Sequence, residues 1–469
     1  MKAALYRIST AASIRTNLTT GISLAIFALT LAVSASAQSQ PMNGLMGPAV
    51  FGLGRTAQGD QQQTALTPEV SSSVAPASPS FTLGAMGYTP RGLAGFPGRV
   101  AQGSDAAEFP SGSAKPQWST NFRFTHDTLL EAQSAVYDQA TATMIVFGGL
   151  GAFSDLSFTD TNAVLLLAPA NGNGNWTTLI ANGTAGSPAA RDSHSAVYDS
   201  ANNRMIVFGG ESWTSGTMLN DVWVLSNANG QGGAAAWTQL SPSGMPPAAR
   251  LLHTAVYDAA NNVMTIFGGG IGGGQVFSDV WALSHANGLG GTPAWTQLSP
   301  NGGPPSGVID SSAVYDPNNN IMTVFGGANT ALTSQTNGVW TLSHANGIGG
   351  TPQWTKILAN GAPHSPAKRA SQTGVYDVAN NRMIIFGGYQ YPGPRAFNDV
   401  WVLANANGLG GTPTWTRLKP TGGPAGVPGT RYFHTAVYDA VNNQMMVFGG
   451  DNDESIYAIT WVLSHANGL

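Results

Sequence analysis

The chain has 469 residues, of which 9% are charged, and its formal net charge is −4. It carries no basic stripe, which excludes the electrostatic surface typical of nucleic-acid-binding proteins. It also has no cysteine, which excludes disulfides, thiolate metal sites and a cysteine nucleophile, while 60 glycines and 28 prolines favour turns over helices.

The first 37 residues indicate a signal peptide. Lys2, Arg7 and Arg15 precede an apolar run at residues 21–33, and small residues follow at 35–37. A basic start, a short apolar run and a small-residue cleavage site, in this order, are typical of a secretory signal. The run is shorter than the about 20 residues that span a bilayer, although an uncleaved anchor is the alternative. Both interpretations place the rest of the chain outside the cytoplasm, secreted or periplasmic, and cleavage leaves no membrane span.

Residues 38–113 have a different composition, rich in proline, serine, glutamine and glycine and without a lasting hydrophobic period. Such a segment buries too little apolar surface to offset the entropy lost on ordering. We therefore predict a disordered leader.

Residues 114–469 repeat one pattern six times. A Tyr-Asp pair recurs at Tyr137, Tyr198, Tyr257, Tyr315, Tyr376 and Tyr438. A Gly-Gly pair follows each of them, at Gly148, Gly209, Gly268, Gly326, Gly387 and Gly449. Both series step by 58 to 62 residues, a period that indicates a solenoid or a propeller. We number the repeats units 1 to 6 in chain order.

Each unit predicts four short strands and no helix, as in "HTAVYD", "RMIVFGG", "NDVWVLS" and "AWTQL". The second strand is apolar at successive positions, which indicates cover on both faces. A twisted four-stranded sheet with two apolar faces needs a similar sheet on each side. Arranging such sheets around an axis gives a β-propeller.

The two ends of the repeat region complement each other. Unit 6 stops after its third strand, whereas "AKPQWST" at residues 114–120 precedes unit 1 and matches "GTPQWTKI" at residues 350–357. We predict that Trp118 lies in the outer strand of the last blade, so that the two ends meet in one sheet. The alternative is that the chain is a fragment of a longer repeat protein.

The strand ending in "VFGG", followed by "NDVW" and a Trp-bearing outer strand, resembles the kelch repeat, known from the propeller domain of galactose oxidase and from kelch adaptors. The resemblance covers residues 118–469 and implies an all-β fold: a six-bladed β-propeller of four-stranded kelch-type blades, closed by an N-terminal outer strand. The units are longer than the roughly 50 residues of a kelch repeat. The cofactor of galactose oxidase needs a cysteine, so the resemblance does not extend to that chemistry, and no cofactor is expected.

The repeated glycines and aspartates have structural interpretations. No helix and no Lys-Ser/Thr follows the double glycines, which excludes a phosphate-binding loop. The aspartates of the Tyr-Asp pairs are expected to start tight turns. Asp221 and Asp399, which precede a strand, are interpreted in the same way.

Histidines occupy two repeated positions. His194, His253 and His434 precede the first strand, where the other units have Gln133, Ser311 and Gln372. His285, His344 and His465 alternate with asparagine in the loop after the third strand, which favours a hydrogen-bonding role there. The first three are spread over units 2, 3 and 6 and are not expected to converge closely, so we expect no metal site. Residues 451–454, "DNDE", are interpreted as a solvated acidic loop and not as a calcium site.

One face of the propeller is the predicted binding face. The loops between second and third strands differ from unit to unit, and loops on a rigid scaffold commonly carry binding residues. Arginines three residues before the histidine position share this face; the alternative is that they only cap neighbouring loops. The candidate binding residues are Arg191, Arg250, Arg369, Arg431, His194, His253, His434, Trp213, Tyr389, Tyr391 and Arg395.

These features predict an exported, non-catalytic and monomeric module that binds a protein or an extracellular glycan. The alternative is a carbohydrate-active enzyme with its site at the axial mouth. An enzyme should show titratable groups with shifted pKa values clustered at the axis. A binding module should instead show a rim of aromatic and arginine side chains.

Overall fold

The structure is a computed structural model that describes residues 115–123, 129–152, 158–171, 174–271, 275–303, 305–329, 334–391, 395–423, 425–452 and 455–469. The expected signal peptide (1–37) and leader (38–113) lie outside the described residues and stay predictions. Within the described ranges the chain forms β-strands and turns and no helix. Accordingly, no helix in this part of the chain has the length and apolar character needed to cross a membrane.

Each unit contributes strands in four positions, counted from the axis outward. The first strands are β3 (Ser134–Asp138), β9 (Ser195–Asp199), β13 (Thr254–Asp258), β17 (Ser312–Asp316), β21 (Thr373–Asp377) and β28 (Thr435–Asp439). The second strands are β4 (Thr143–Phe147), β10 (Arg204–Ser212), β14 (Val263–Phe267), β18 (Ile321–Phe325), β22 (Arg382–Phe386) and β29 (Gln444–Phe448). The third strands are β7 (Val164–Ala168), β11 (Thr217–Ser226), β15 (Val280–Ser284), β19 (Val339–Ser343), β25 (Val400–Ala404) and β30 (Ile459–Ser464). The outer strands are β8 (Asn175–Ile180), β12 (Ala236–Leu240), β16 (Ala294–Leu298), β20 (Gln353–Leu358), β26 (Thr414–Leu418) and, for unit 6, β1 (Gln117–Arg123).

The strands of a unit pair antiparallel in chain order, and the described residues form six such sheets. In unit 3, Thr254 lies opposite Phe267, and Phe267 lies opposite Val280. Short strands add to these sheets or stand apart from them: β2 (Leu129–Glu131), β5 (Leu150–Ala152), β6 (Phe158–Asp160), β23 (Tyr389–Gln390), β24 (Arg395–Ala396) and β27 (Thr421–Gly422). The predicted all-β architecture of four-stranded sheets is confirmed.

The core lies between neighbouring sheets. Second strands such as β14 and β18 are buried along their whole length, as their continuous apolar runs predict. The phenylalanine that ends each second strand contacts the outer-strand tryptophan of a neighbouring sheet, with ring centroids 4.7 to 5.2 Å apart. These pairs are Phe147–Trp237, Phe208–Trp295, Phe267–Trp354, Phe325–Trp415, Phe386–Trp118 and Phe448–Trp176.

Trp118 joins the two ends of the repeat region in one sheet. Its strand pairs antiparallel with β30, Gln117 opposite Ser464 and Trp118 opposite Leu463. The Trp118 side chain is 1% exposed and contacts Trp461 edge-on. This is the strand pairing that the sequence predicts.

The face that carries the Tyr-Asp turns, here called the bottom face, is held by a repeated side-chain bond. Each aspartate caps its own turn, as Asp316 does by accepting from the amide of Asn318 at 3.0 Å, which confirms the predicted turn role. Each also accepts an asparagine amide from the next unit, and the donor–acceptor distances are 2.6 to 3.3 Å. The pairs are Asn229–Asp138, Asn287–Asp199, Asn346–Asp258, Asn407–Asp316, Asn467–Asp377 and Asn171–Asp439.

Candidate functional site

The opposite face, here called the top face, carries the predicted arginines, but the structure buries them. Arg191, Arg250 and Arg369 are 0% exposed and Arg431 is 1% exposed. Arg250 donates two hydrogen bonds to the carboxylate of Asp279, Nη1 to Oδ1 at 2.7 Å and Nη2 to Oδ2 at 2.9 Å. Its Nη1 also donates to the carbonyl of Gly268 at 2.9 Å. The expectation that these arginines line an exposed rim is wrong, because their guanidinium groups are used inside the wall of the propeller.

The same arrangement recurs in units 2 and 5, where Arg191 pairs with Asp221 and Arg369 with Asp399. Asp221 and Asp399 are therefore partners of buried arginines and not simple turn residues. Each guanidinium holds the pKa of its partner carboxyl below the usual range despite burial. In the sequence, units 1 and 4 lack both the arginine and the aspartate. The arginine and the aspartate are present together in units 2, 3 and 5 and absent together in units 1 and 4. This covariation between repeats is the signal that a unit-by-unit interpretation of the sequence missed.

Unit 6 has the arginine but not the aspartate, since Ile459 occupies that position. Arg431 donates to the carbonyl of Gly449 at 3.0 Å, and its guanidinium carbon lies 4.2 Å from the ring centre of Tyr457. Burial lowers the pKa of Arg431 to about 10. Arg250 and Arg369 pack against an aromatic ring at the equivalent position, Phe277 at 4.2 Å and Phe397 at 4.1 Å. Arg431 therefore keeps the aromatic neighbour of the cation but has no carboxylate.

The three histidines of the candidate set lie between neighbouring sheets. His194, His253 and His434 are 5 to 7% exposed. The Nε2 atom of His253 is 2.8 Å from Ser195 Oγ of the preceding unit, and its ring packs against Phe208. Burial and the nearby cation of Arg250 lower the pKa of His253 to about 3, so its ring is neutral at neutral pH. These histidines join units to each other and are not placed to contact a ligand.

The aromatic candidates remain at the surface. Trp213, Tyr389 and Tyr391 are half-buried, and Arg395 is exposed. Tyr389 contacts Tyr432, and Tyr432 contacts Phe433, each with ring centroids 5.1 Å apart. Tyr389, Tyr391, Phe433 and Arg395, all from units 5 and 6, form what we call the aromatic patch.

A ring of backbone hydrogen bonds surrounds the axis on the top face. It comprises the residue before the histidine position in every unit, and in each of them φ is between 53° and 58°. Each amide donates to the carbonyl of the preceding unit at 2.8 to 3.2 Å, and unit 1 donates to unit 6. We call this ring the collar; its members are Ala132, Ser193, Leu252, Asp310, Ser371 and Phe433. The side chains share no chemistry, because the backbone makes the bonds, and sequence reasoning therefore missed them.

The surroundings of the collar differ between its two sides. Units 3 to 5 supply a buried apolar cluster of Leu251, Leu252, Ile309, Ala328 and Ala370, against which Phe433 packs. Units 1 and 2 supply four buried carboxyl groups, which belong to Glu131, Asp160, Asp192 and Glu211, whereas unit 4 supplies Asp310 and unit 6 supplies Asp451. The mouth is therefore richer in apolar groups beside units 3 to 5, here called the apolar side, and richer in carboxyl groups beside units 1 and 2, here called the acidic side.

Asp160 and Asp192 are neighbouring buried carboxyl groups on the acidic side, since the amide of Arg191 donates to the carbonyl of Thr161 at 3.2 Å. Burial and the adjacent Asp192 raise the pKa of Asp160 to about 8, although two backbone amides oppose the shift. The described residues contain no group of three or more histidine or carboxylate side chains arranged to hold a metal ion.

Two protein-family models match the part of the chain that forms these sheets. The family model described as Attractin/LZTR1 beta-propeller matches residues 157–391, about half of the chain. The chain belongs to the Attractin/LZTR1 beta-propeller family. A second model, the KLHDC2/KLHL20/DRC7 Kelch-repeats domain, matches residues 350–467 of this propeller. The kelch resemblance deduced from the repeats is confirmed.

Individual relatives match part of this chain. Human multiple epidermal growth factor-like domains protein 8 is 28% identical over 288 residues, which is 60% of this propeller chain and 9% of the relative. Adagio-like protein 3 of rice is 25% identical over 268 residues, covering 56% of this chain and 38% of that protein. The chain thus spans well under half the length of these relatives.

Among solved structures, YjhT superimposes with a TM-score of 0.51 at 15% identity, covering 71% of this chain and 95% of its own. At this level of identity the likeness concerns the fold. The fold by itself assigns no function.

Proposed function

We propose that this propeller is a protein-binding module and that the aromatic patch on the top face is its contact surface. The observation that carries the proposal is that half-buried Tyr389 and Phe433 both pack against the buried ring of Tyr432, beside the apolar side of the mouth. Tyrosine and arginine are enriched among the residues that dominate binding energy, and rigidly held rings lose little entropy on binding. Tyr389 and Arg395 lie on the short hairpin β23–β24, which fixes their relative positions.

The two faces differ in how far their residues are already used. On the bottom face, asparagine and aspartate side chains are engaged in bonds that repeat from unit to unit. On the top face, the loops between second and third strands differ in sequence among units. Variable loops on a rigid scaffold favour the top face as the one adapted to a particular partner.

The test compares variants on the two faces. The full chain is screened on peptide and glycan arrays, and each hit is measured with the Tyr389→Ala and Tyr391→Ala variants. Matched controls are Ile348→Ala and Leu409→Ala, which remove exposed aliphatic side chains from the bottom face. We expect the tyrosine variants to lose about 1–2 kcal/mol each and the controls to bind normally. Loss confined to the controls would move the contact surface to the bottom face, and hits on glycans alone would replace the protein partner by a sugar.

A carbohydrate-active enzyme is the second candidate, and the Asp160–Asp192 pair favours it. A carboxyl group with a raised pKa is the type of general acid that glycosidases use. Against it, Asp160 is 2% exposed and Asp192 is 0% exposed, so neither presents surface to a substrate. Hydrolysis of a panel of glycosides by the full chain, abolished in Asp192→Asn, would establish this candidate.

We also propose that the protein is exported, on the strength of residues 1–37. The first residue of the protein recovered outside the cytoplasm should lie close to residue 38. A mature chain that begins at Met1 would instead indicate an uncleaved anchor or no export.

A further inference from the structure

Two hairpins from neighbouring units meet beside the acidic side of the mouth. Strands β5 and β6 of unit 1 pair with each other, and Leu150 lies opposite Asp160. In unit 2, β10 and β11 continue their pairing to Ser212 and Thr217, so their turn comprises the residues between these two. Thr159 Oγ1 of the first hairpin lies 3.2 Å from Thr214 Oγ1 of the second.

Asp160 is the main connection between these hairpins. Its Oδ2 atom accepts hydrogen bonds from the backbone amides of Trp213 and Thr214, and the one from Thr214 is 3.4 Å long. A side chain of unit 1 therefore caps the hairpin turn of unit 2. Because a carboxylate and a neutral carboxyl oxygen both accept amide hydrogens, this bond alone does not determine the charge of Asp160.

The contact with Asp192 determines the charge of Asp160. The two carboxyl groups are adjacent, because the amide of Arg191 donates to the carbonyl of Thr161 at 3.2 Å and so brings the two segments together. Both groups are almost fully buried, and Asp160 Oδ1 has no hydrogen-bond donor among the described residues. Two ionised carboxylates have no hydrogen to donate and repel each other, most strongly away from water. One proton between them satisfies one oxygen of each group and leaves a single negative charge.

The neighbouring charged groups reinforce this need for a proton. Glu211 lies on β10 and exchanges two backbone hydrogen bonds with Asp192, each 3.0 Å long. Glu131 on β2 is a further buried carboxyl group. Arg191 precedes Asp192, but its guanidinium is bonded to Asp221. His194 follows Asp192 by two residues in the sequence, and its Nε2 atom is hydrogen-bonded to Ser134 Oγ.

We infer that Asp160 and Asp192 share one proton, and that this proton fastens hairpin β5–β6 of unit 1 to hairpin β10–β11 of unit 2 beside the axial mouth. The pair acts as a latch that depends on pH. Since the pKa of Asp160 is raised from 3.8 to about 8, the shared proton stabilises the closed latch most in acid. This stabilisation is lost progressively as pH rises toward 8 and is absent above it, where the two carboxylates repel.

The test follows amide hydrogen exchange at Trp213 and Thr214 in the full chain between pH 6 and 9.5, corrected for the intrinsic rate. In the wild type we expect protection of both amides to fall about tenfold or more between pH 6 and 8 and to level off above pH 8. In Asp160→Asn the amide Nδ2 replaces the shared proton as donor to Asp192, while Oδ1 still accepts from the two backbone amides. Protection in this variant should therefore stay constant across the range.

Controls make the result decisive. The amide of Tyr389, which donates to the carbonyl of Ala370 at 2.8 Å, lies at the position equivalent to Glu211, and Ala370 stands where unit 2 has Asp192. The protection of the Tyr389 amide should therefore not change with pH. Infrared spectroscopy at pH 7 should show the carbonyl band of a protonated carboxylic acid, reduced in both Asp160→Asn and Asp192→Asn. Absence of that difference, or equal loss of protection between pH 6 and 8 in wild type and Asp160→Asn, would overturn the latch.

Discussion

At the scale of single residues, the repeats provide their own matched substitutions. Arg250 and Asp279 of unit 3 occupy positions that unit 1 fills with Leu130 and Ala163. A buried ion pair with one partner removed leaves an uncompensated charge, whereas replacing both partners with apolar residues is often neutral. Units with and without the pair adopt the same four-stranded sheet, so the pair serves its local packing and does not determine the fold.

Asp279→Ala should therefore lower the free energy of unfolding by about 3–5 kcal/mol, because Arg250 stays buried without its carboxylate. Arg250→Leu combined with Asp279→Ala, which copies unit 1, should recover most of that loss. Urea unfolding followed by tryptophan fluorescence measures both. A double variant no more stable than the single one would show that the wall needs the guanidinium itself.

The buried histidines predict sensitivity to acid. The folded-state pKa of His253, about 3, lies below the roughly 6.5 of an exposed histidine. The unfolded chain therefore takes up a proton first, and stability falls as pH drops from about 6.5 toward 3, by about 1.4 kcal/mol per pKa unit. His253→Gln, which copies the glutamine of units 1 and 5, should flatten this fall.

Thermal unfolding between pH 7 and 4 measures the effect of His253→Gln. The reverse change, Gln372→His, is the matched control and should increase the loss of stability in acid. Identical pH profiles for the wild type and His253→Gln would mean that the acid response arises elsewhere.

At the scale of strands, β1 stands out because it completes a sheet formed more than 300 residues later. Trp118 contacts Phe386 with ring centroids 5.2 Å apart, and Trp415 contacts Phe325 at 5.0 Å. An outer strand supplied from the other end of the chain therefore makes the same contact as one that follows directly on its own unit. Its loss would also leave β30 as an unpaired edge.

Removing residues 38–110 should leave the melting temperature nearly unchanged, whereas removing residues 38–121 should lower it sharply and cause aggregation. The second deletion takes away β1 and its buried tryptophan, whose side chain alone is worth about 3–5 kcal/mol. Trp118→Ala should cost about as much as Trp415→Ala in the same assay. Equal stability of the two truncations would place Trp118 outside the sheet of unit 6.

Strands were predictable from the sequence because their signals are local. The apolar run of β14 and the outer-strand position of Trp118 follow from patterns a few residues long. The burial of Arg250 depends on Asp279, 29 residues away, and no local pattern links the two. The collar was out of reach for another reason, since Ala132 and Phe433 have only a backbone conformation in common.

At the scale of the whole molecule, the boundaries between units are built alike at both faces. On the top face a collar amide donates to the preceding unit, as Leu252 does to Ser193. On the bottom face Asn287 of the same unit donates to Asp199, again in the preceding unit. The core between them adds the contact of Trp295 with Phe208. Neighbouring sheets are thus fixed at the top, the middle and the bottom of each boundary.

The direction of these bonds has a consequence for how such a protein evolves. Every unit offers donors to the unit before it and acceptors to the unit after it, so a copied unit already fits between any two others. Duplication or loss of a gene segment encoding one repeat therefore preserves each internal boundary. The exception is the sheet that takes its outer strand from β1. Its partner is inherited from the opposite end of the gene, so Trp118 and β30 must be kept together through every change in repeat number.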